Sequence, residues 1–491
     1  MTPELIARKY QFREGVRLVD YGEVGLPIFR LTLDAVTMAQ RGMPTIQEFV
    51  MRCLSLGETC ENDVARMLGL KLDIVNAAIN ILISEGYVSR QLVEESGFSF
   101  QLTDAGIERL GIDRVEVPQE EMIVIDYDGV RRTPLRLAGE SVVRAAELVG
   151  AGAVQIRPYP AEAPAIDELS LVEAAKVIRR RDGEDFYRSL LALKRVVRRN
   201  NLFREAVALV FAADNTEEVQ VAFAIDGKLS DAYERAFAEH GGPRKMGFVR
   251  SINASNTKAS LERLVGRQMY RSMPDVGALR EVRVEEMEAM LDLESARPIA
   301  SRISGKGGST HPAVRALAVA EERLATARHA LNAFDTRSLA CYEQMELLDL
   351  ALSDTSRSLL ITTAGIQSSV VNGTRLRELD LLSAAGAKIR IGSYLTPQVD
   401  SRRGDRYDPL AELSKRAARG ALTISKQAEA EFFFLIQDDE LAVVSSRPFL
   451  GEVARRAGFL RVEGIVTRRP AFVQELKQIA LWHLDGDSHA R

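Results

Sequence analysis

The sequence predicts a multidomain chain of mixed α/β and α+β class, and three observations carry that prediction. At 491 residues, 46% hydrophobic and 27% charged, it has globular composition and the length for about three cores. Apolar residues recur at helical spacing in some stretches and alternate as in strands in others. The net charge of −4 conceals acidic and basic blocks that lie far apart along the chain. The expected organisation is an N-terminal arm over 1–44, a first module over 45–112, a central α+β domain over 120–300 and a C-terminal α/β domain over 311–485.

The N-terminus, MTPELIARKYQFREGVRLVDYG, lacks the apolar core of a signal peptide, and no run of about 18 apolar residues suggests a membrane span. A cytoplasmic chain with no membrane partner is expected. Cys53, Cys60 and Cys341 form neither a paired framework nor a CxxC signature, so they read as buried apolar residues, and no metal or cofactor is expected.

From 45 to 110, helical periods alternate with glycine stops. A helix over 46–56 ends at Gly57, a second over 61–68 ends at Gly69, and a third carries the stripe Ile74, Val75, Ala78, Ile79, Leu82 and Ile83 before Gly86. Two short alternating runs, 87–93 and 97–102, follow around the acidic turn Glu94-Glu95-Ser96, and TDAGIERL returns to helix. This order resembles a winged helix-turn-helix, with LTDAG where many such regulators carry Leu-Thr-x-x-Gly. The segment holds five basic and ten acidic residues, a net of −5. DNA affinity draws on neutralised phosphates, so the module favours a protein partner over DNA. Lys71, Asn76 and Asn80 are the residues of its third helix with the chemistry for DNA contact.

In the middle of the chain, MIVIDYD, AVALVFA and EVQVAFAI read as strands among helices. The segment from Lys176 to Arg204 holds ten basic and three acidic residues, and a helix is expected after Gly183 with its leucines and valines inward. Arg179, Arg180, Arg181, Arg195, Arg198 and Arg199 are its candidate phosphate contacts, against the alternative of a solvated face paired to the acidic module. TKASLERLVGRQMYRSM reads as a helix with Lys258, Arg263, Arg267 and Arg271 outward. GKGGST at 305–310 lacks the order of a P-loop and reads as a linker before a long helix that begins after Pro312.

Beyond Arg337 the order is helix, strand, helix, strand, the pattern of a parallel α/β unit, and EFFFLIQDDELAVVSS reads as two apolar strands about an Asp438-Asp439 turn. Its spacing resembles the phospholipase D motif His-x-Lys-x4-Asp, six residues, then Gly-Ser-x-Asn. Glu431 stands at the histidine position, Phe433 at the lysine, Asp438 at the aspartate, Ser445-Ser446 at Gly-Ser and Pro448 at the asparagine. The family's chemistry needs the imidazole as nucleophile and the lysine to stabilise phosphoryl oxygens. The resemblance therefore implies a fold that has lost hydrolysis. Between Arg375 and Lys426 lie eleven basic and six acidic residues; Arg402, Arg403 and Arg406 follow a strand, where open α/β sheets bind ligands.

The combination is similar to TrmB-type regulators and to phospholipase D-like components of bacterial antiviral defence or DNA-processing operons. It implies a non-catalytic nucleic-acid-associated accessory or regulatory protein. Nucleic acid, DNA foremost, is the expected partner, together with a protein bound through the winged helix, with an ATPase or helicase as candidate; homodimerisation is open. The alternatives are a ligand-responsive transcriptional regulator and a diverged phosphodiesterase or nuclease.

Overall fold

The computed structural model describes residues 1–93, 97–112, 115–137, 141–181, 189–214, 216–254, 257–303, 311–394, 407–427, 429–451 and 458–485. It is a mixed α/β structure built on two large sheets. Helix α1 (Pro3–Lys9), capped by the Thr2 hydroxyl, leads into β1 (Val16–Arg41), a strand of 26 residues. The stretch expected as an arm is thus a central strand. Glycine and proline inside a run ordinarily argue against a strand, and β1 contains Gly22, Gly25 and Pro27. Gly25 is there for space, because a Cβ would lie 2.2 Å from Leu148 Cδ1.

After β1 the chain forms helices α2 (Thr45–Ser55), α3 (Glu61–Leu68) and α4 (Leu72–Ser84), the hairpin β2 (Val88–Val93) with β3 (Gly97–Leu102), and α5 (Asp104–Leu110). This is the winged-helix order read from the sequence. Val50, Met51, Val64, Val75, Ile79, Leu82 and Phe100 form a core drawn from the module itself. The LTDAG run has a mechanical reason. Thr103 Oγ1 accepts the Gly106 amide at 3.1 Å, and a Cβ on Gly106 would stand 2.1 Å from the Tyr87 carbonyl oxygen.

Strand β4 (Val115–Asp128) then pairs antiparallel with β1 from its first residue, Val115 opposite Arg41. The winged helix is therefore an insertion at the end of a hairpin. Helix α6 (Leu171–Arg181), β5 (Ser189–Ala212) and β6 (Val219–Ile225) complete the order β6-β5-β1-β4, and two-residue strands bring the sheet to eight. The helix expected after Gly183 is absent from the described residues of that segment, which are strand from Ser189 onward. Register shifts between Thr32 and Leu33, Asp34 and Ala35, and Val36 and Thr37 leave Val197, Lys194 and Leu191 as extra residues of β5. Leu190, Leu193 and Val196 therefore turn inward every third residue, beneath α6. That period imitates a helix.

Helix α7 (Thr257–Arg271) bends at Gly266, φ 80°. Long helices α8 (Val276–Ile303) and α9 (Pro312–Asn332) pack through Ala289, Leu324 and Ala327. The second sheet takes β7 (Thr336–Ser338), β8 (Ser358–Thr363), β9 (Lys388–Ser393), β10 (Thr423–Lys426), β11 (Phe433–Gln437), β12 (Leu441–Ser445) and β13 (Gly464–Thr467), in the order β7-β13-β12-β11-β8-β9-β10. Strands β8, β9 and β10 are parallel and the others antiparallel, with β11 and β12 the expected hairpin. Helices α10 (Gln344–Asp354), α11 (Gly373–Ala384) and α12 (Pro409–Ala418) cover one face; α7 and α13 (Pro470–Asp485) cover the other. Phe459 inserts into the core of the first sheet, and the Val462 amide donates to Val19 O at 3.0 Å. Among the described residues no single helix is long and apolar enough to cross a membrane.

Candidate nucleic-acid interface and motif positions

Apart from Glu431, the residues at the phospholipase D motif positions are engaged in packing or hydrogen bonds of the second sheet. Phe433 is 2% exposed, lies opposite Ser445 and stacks on Tyr394 with ring centroids 6.3 Å apart. Glu431, just before β11, is exposed. Asp438 makes the β11–β12 turn at φ 49° and accepts from the amides of Ser356 (3.0 Å), Arg357 (2.8 Å) and Ser358 (2.6 Å) and from the Ser356 hydroxyl (3.1 Å). Burial pushes its carboxyl up, but those backbone donors outweigh it and hold the group below the usual range. Ser445 Oγ bridges Gln344 and the Arg447 amide; Ser446 Oγ bridges Arg461 O and the Glu463 amide; Pro448 O accepts from Gln344. These contacts occupy both serine hydroxyls in structural hydrogen bonds.

The basic candidates on the first sheet separate into paired and unpaired groups. Beyond the reach of β6 and of a bridge between Val143 and Phe203, residues 189–202 of β5 form an open edge of the β5-β1-β4 ribbon. Along it, Lys194 pairs with Glu120, and Arg195 Nε lies 3.3 Å from Asp34 Oδ2. Arg198 sits opposite Thr32 and Arg199 opposite Leu31. Both are exposed and have no ion pair among the described residues. Charged side chains and bulges also guard an edge strand against pairing with other chains.

Arg179, Arg180 and Arg181 end helix α6, and their side chains lie outside the described residues. Arg402, Arg403 and Arg406 lie outside them altogether, as do GKGGST and Glu94-Glu95. On the winged helix, Lys71 precedes α4 and is exposed, Asn76 is half-buried and Asn80 is exposed. The same helix also exposes Ile74, Ala77 and Ile81. Among the described residues no group of three or more His, Cys, Asp or Glu side chains is arranged to hold a metal ion.

One feature of the second sheet was not singled out from the sequence. Trp482, the chain's single tryptophan, stands exposed on α13 beside a groove against α7. Its signal was a lone aromatic between apolar positions, which reads as core until the packing is known.

No protein-family model matches the chain, and no curated protein matches it. Among solved structures it is similar to NucT from Helicobacter pylori (13% identity, covering 30% of this chain and 95% of that one, TM-score 0.23). It is also similar to TrmBL2, an archaeal chromatin protein whose structure shows a novel mode of DNA binding (14%, 39% and 66%, TM-score 0.24). A third is Nuc from Salmonella typhimurium, a phospholipase D family member (13%, 28% and 84%, TM-score 0.20).

Proposed function

We propose that this chain is a non-catalytic nucleic-acid-associated protein that holds phosphates along the open edge of its β-ribbon and offers its acidic winged helix to a protein partner. The observation that carries the reading is the pair Arg198 and Arg199, exposed and without counter-charges among the described residues. An unpaired surface guanidinium keeps its full charge for a phosphate, whereas Lys194 and Arg195 are partly neutralised by Glu120 and Asp34. Changing Arg198 and Arg199 together to alanine is expected to weaken duplex DNA binding roughly tenfold at low salt. It should also flatten the log affinity versus log salt slope by up to about 0.9 per lost contact. Changing Lys194 and Arg195 should do less. Equal losses from both pairs, or none from either, would remove the ribbon from consideration.

The absence of hydrolysis is part of the proposal. Phe433 offers no donor for a phosphoryl oxygen, and Glu431 supplies no imidazole as nucleophile. A protein that cleaves DNA, RNA or a model phosphodiester, and stops doing so as Glu431→Gln, would instead be a diverged enzyme.

The inserted position of the winged helix allows a clean test of its part. Because Arg41 and Val115 are direct partners across two antiparallel strands, residues 42–114 can be replaced by an Asn-Gly turn. The shortened protein should bind DNA within about twofold of the full chain, since a −5 module adds nothing to counterion release. A collapse of binding with the sheet still folded would assign DNA contact to the winged helix.

A further inference from the structure

On the face of the second sheet opposite Phe433, α7 and α13 leave between them a groove of about 710 Å³. Phe432 and Phe434 line it from β11 and the residue before it, and Glu429 and Glu431 line it from the approach to that strand. Arg263 comes from α7 and Trp482 from α13. Five apolar residues of α13, Phe472, Val473, Leu476, Ala480 and Leu484, are buried in the sheet's core, and Ile479 and Leu481 are half-buried against it. Trp482 departs from them at 70% exposure, with its indole set edge-on against His483 at 5.2 Å between centroids. An exposed indole fixed by a neighbouring ring is a stacking platform.

Charge makes the groove specific. Helix α7 buries Thr257, Leu261, Val265 and Met269 and exposes Arg263, Arg267 and Arg271, each again four residues apart. None of these three arginines has an ion pair among the described residues, although Glu429 and Glu431 share the groove with the first. Unpaired cations on α7, the first of them in the groove beside the aromatic platform, match a chain of phosphates that carries planar bases. Carboxylates at the same site accept hydrogen bonds from exocyclic amines, as glutamate does from cytosine N4. A duplex keeps its bases stacked inside and cannot present a face to Trp482.

We infer that this groove binds single-stranded nucleic acid, with one base stacked on Trp482 and its flanking phosphates on Arg263 and Arg267. The inference extends the nucleic-acid reading to a second site, separate from the ribbon edge. Amino-bearing bases should be preferred, because thymine has no exocyclic amine to give Glu429 or Glu431.

The single tryptophan makes the test direct. Intrinsic emission of the full-length protein is followed while oligo-dC, oligo-dT and a duplex of equal length are added. Oligo-dC should quench Trp482, oligo-dT should need a higher concentration, and the duplex should leave the emission unchanged. By anisotropy of labelled oligo-dC, Trp482→Ala should weaken binding about tenfold. Arg263→Ala with Arg267→Ala should abolish the quenching at moderate salt, and circular dichroism should show both variants folded. Binding of oligo-dC without quenching, quenching that survives loss of both arginines, or equal quenching by duplex would overturn the assignment. Duplex binding that depends on Arg198 and Arg199 is measured in parallel, so the groove can fail while the ribbon stands, and the reverse.

Discussion

Replacing Glu343 by alanine is expected to destabilise the protein by about 3–5 kcal/mol, the loss typical when one member of a buried ion pair is removed. Glu343 Oε2 accepts from Arg337 Nη1 at 2.8 Å and from the Ala340 amide at 2.8 Å, and Arg283 lies 3.6 Å away. The side chains of Glu343 and Arg337 are each 4% exposed. Around them, Arg8 pairs with Glu286 and Glu346, both at 2.6 Å, and lies over the Tyr342 ring. With Arg328 of α9 on the other oxygen of Glu346, four arginines and three glutamates thus join α1, α8, α9, β7 and α10, and removing Glu343 strands two guanidiniums. Desolvation is the largest influence on Glu343 and would raise its pKa. Arg337 and Arg283 outweigh it and bring the group from 4.5 down to about 2.

That depression fixes the pH dependence. A carboxylate whose folded pKa lies below its unfolded value stabilises the fold fully above about 4.5, and the contribution is lost as pH falls towards about 2. Glu286 shifts the other way, pushed up by burial, so within this cluster the acid-sensitive share belongs to Glu343. In urea unfolding, the gap between wild type and Glu343→Gln should therefore be widest above pH 5 and close by about pH 2. A gap independent of pH would mean that the arginines do not hold this carboxylate.

The contrast between the two sheets shows what the sequence makes legible. Local signals sufficed for the winged helix, where Gly69, in the left-handed conformation, stops α3, Thr103 caps α5, and each helix carries its own stripe. They sufficed again for β11 and β12, whose continuous apolar runs meet at Asp438. Local signals misled where the partner strand is distant. Strand β1 finds β5 more than 150 residues later in register, and three bulges in β5 give it a helix-like period. The spacing lays the motif positions on the β11–β12 hairpin, yet whether an arginine is free cannot be read from spacing. Arg195 and Arg198 look alike in the sequence; only the cross-strand register puts Asp34 beside the first and Thr32 beside the second. The Trp482 groove was hidden for the same reason, since its walls lie on helices about 220 residues apart.

Asp438→Ala is expected to cost about 3 kcal/mol of stability and to leave nucleic-acid binding unchanged. The motif aspartate caps the start of β8: three amides and one hydroxyl converge on its carboxylate, and its own amide donates to Ser358 O at 2.8 Å. Hydrogen bonds to a charged acceptor contribute about 1.5–3 kcal/mol each in favourable cases, and the donors left behind are partly buried, so water recovers only part of the loss. Backbone strain adds to this. At φ 49° aspartate is tolerated better than alanine, because its short polar side chain bonds locally. Asp438→Asn separates the two contributions: it keeps the backbone preference and one acceptor oxygen, so about half of the loss should return. The free energies come from urea unfolding of both variants, with duplex and oligo-dC affinities measured alongside. A stability change under 0.5 kcal/mol would show that the hairpin does not depend on this carboxylate. A selective loss of nucleic-acid affinity at full stability would place Asp438 at a binding site after all.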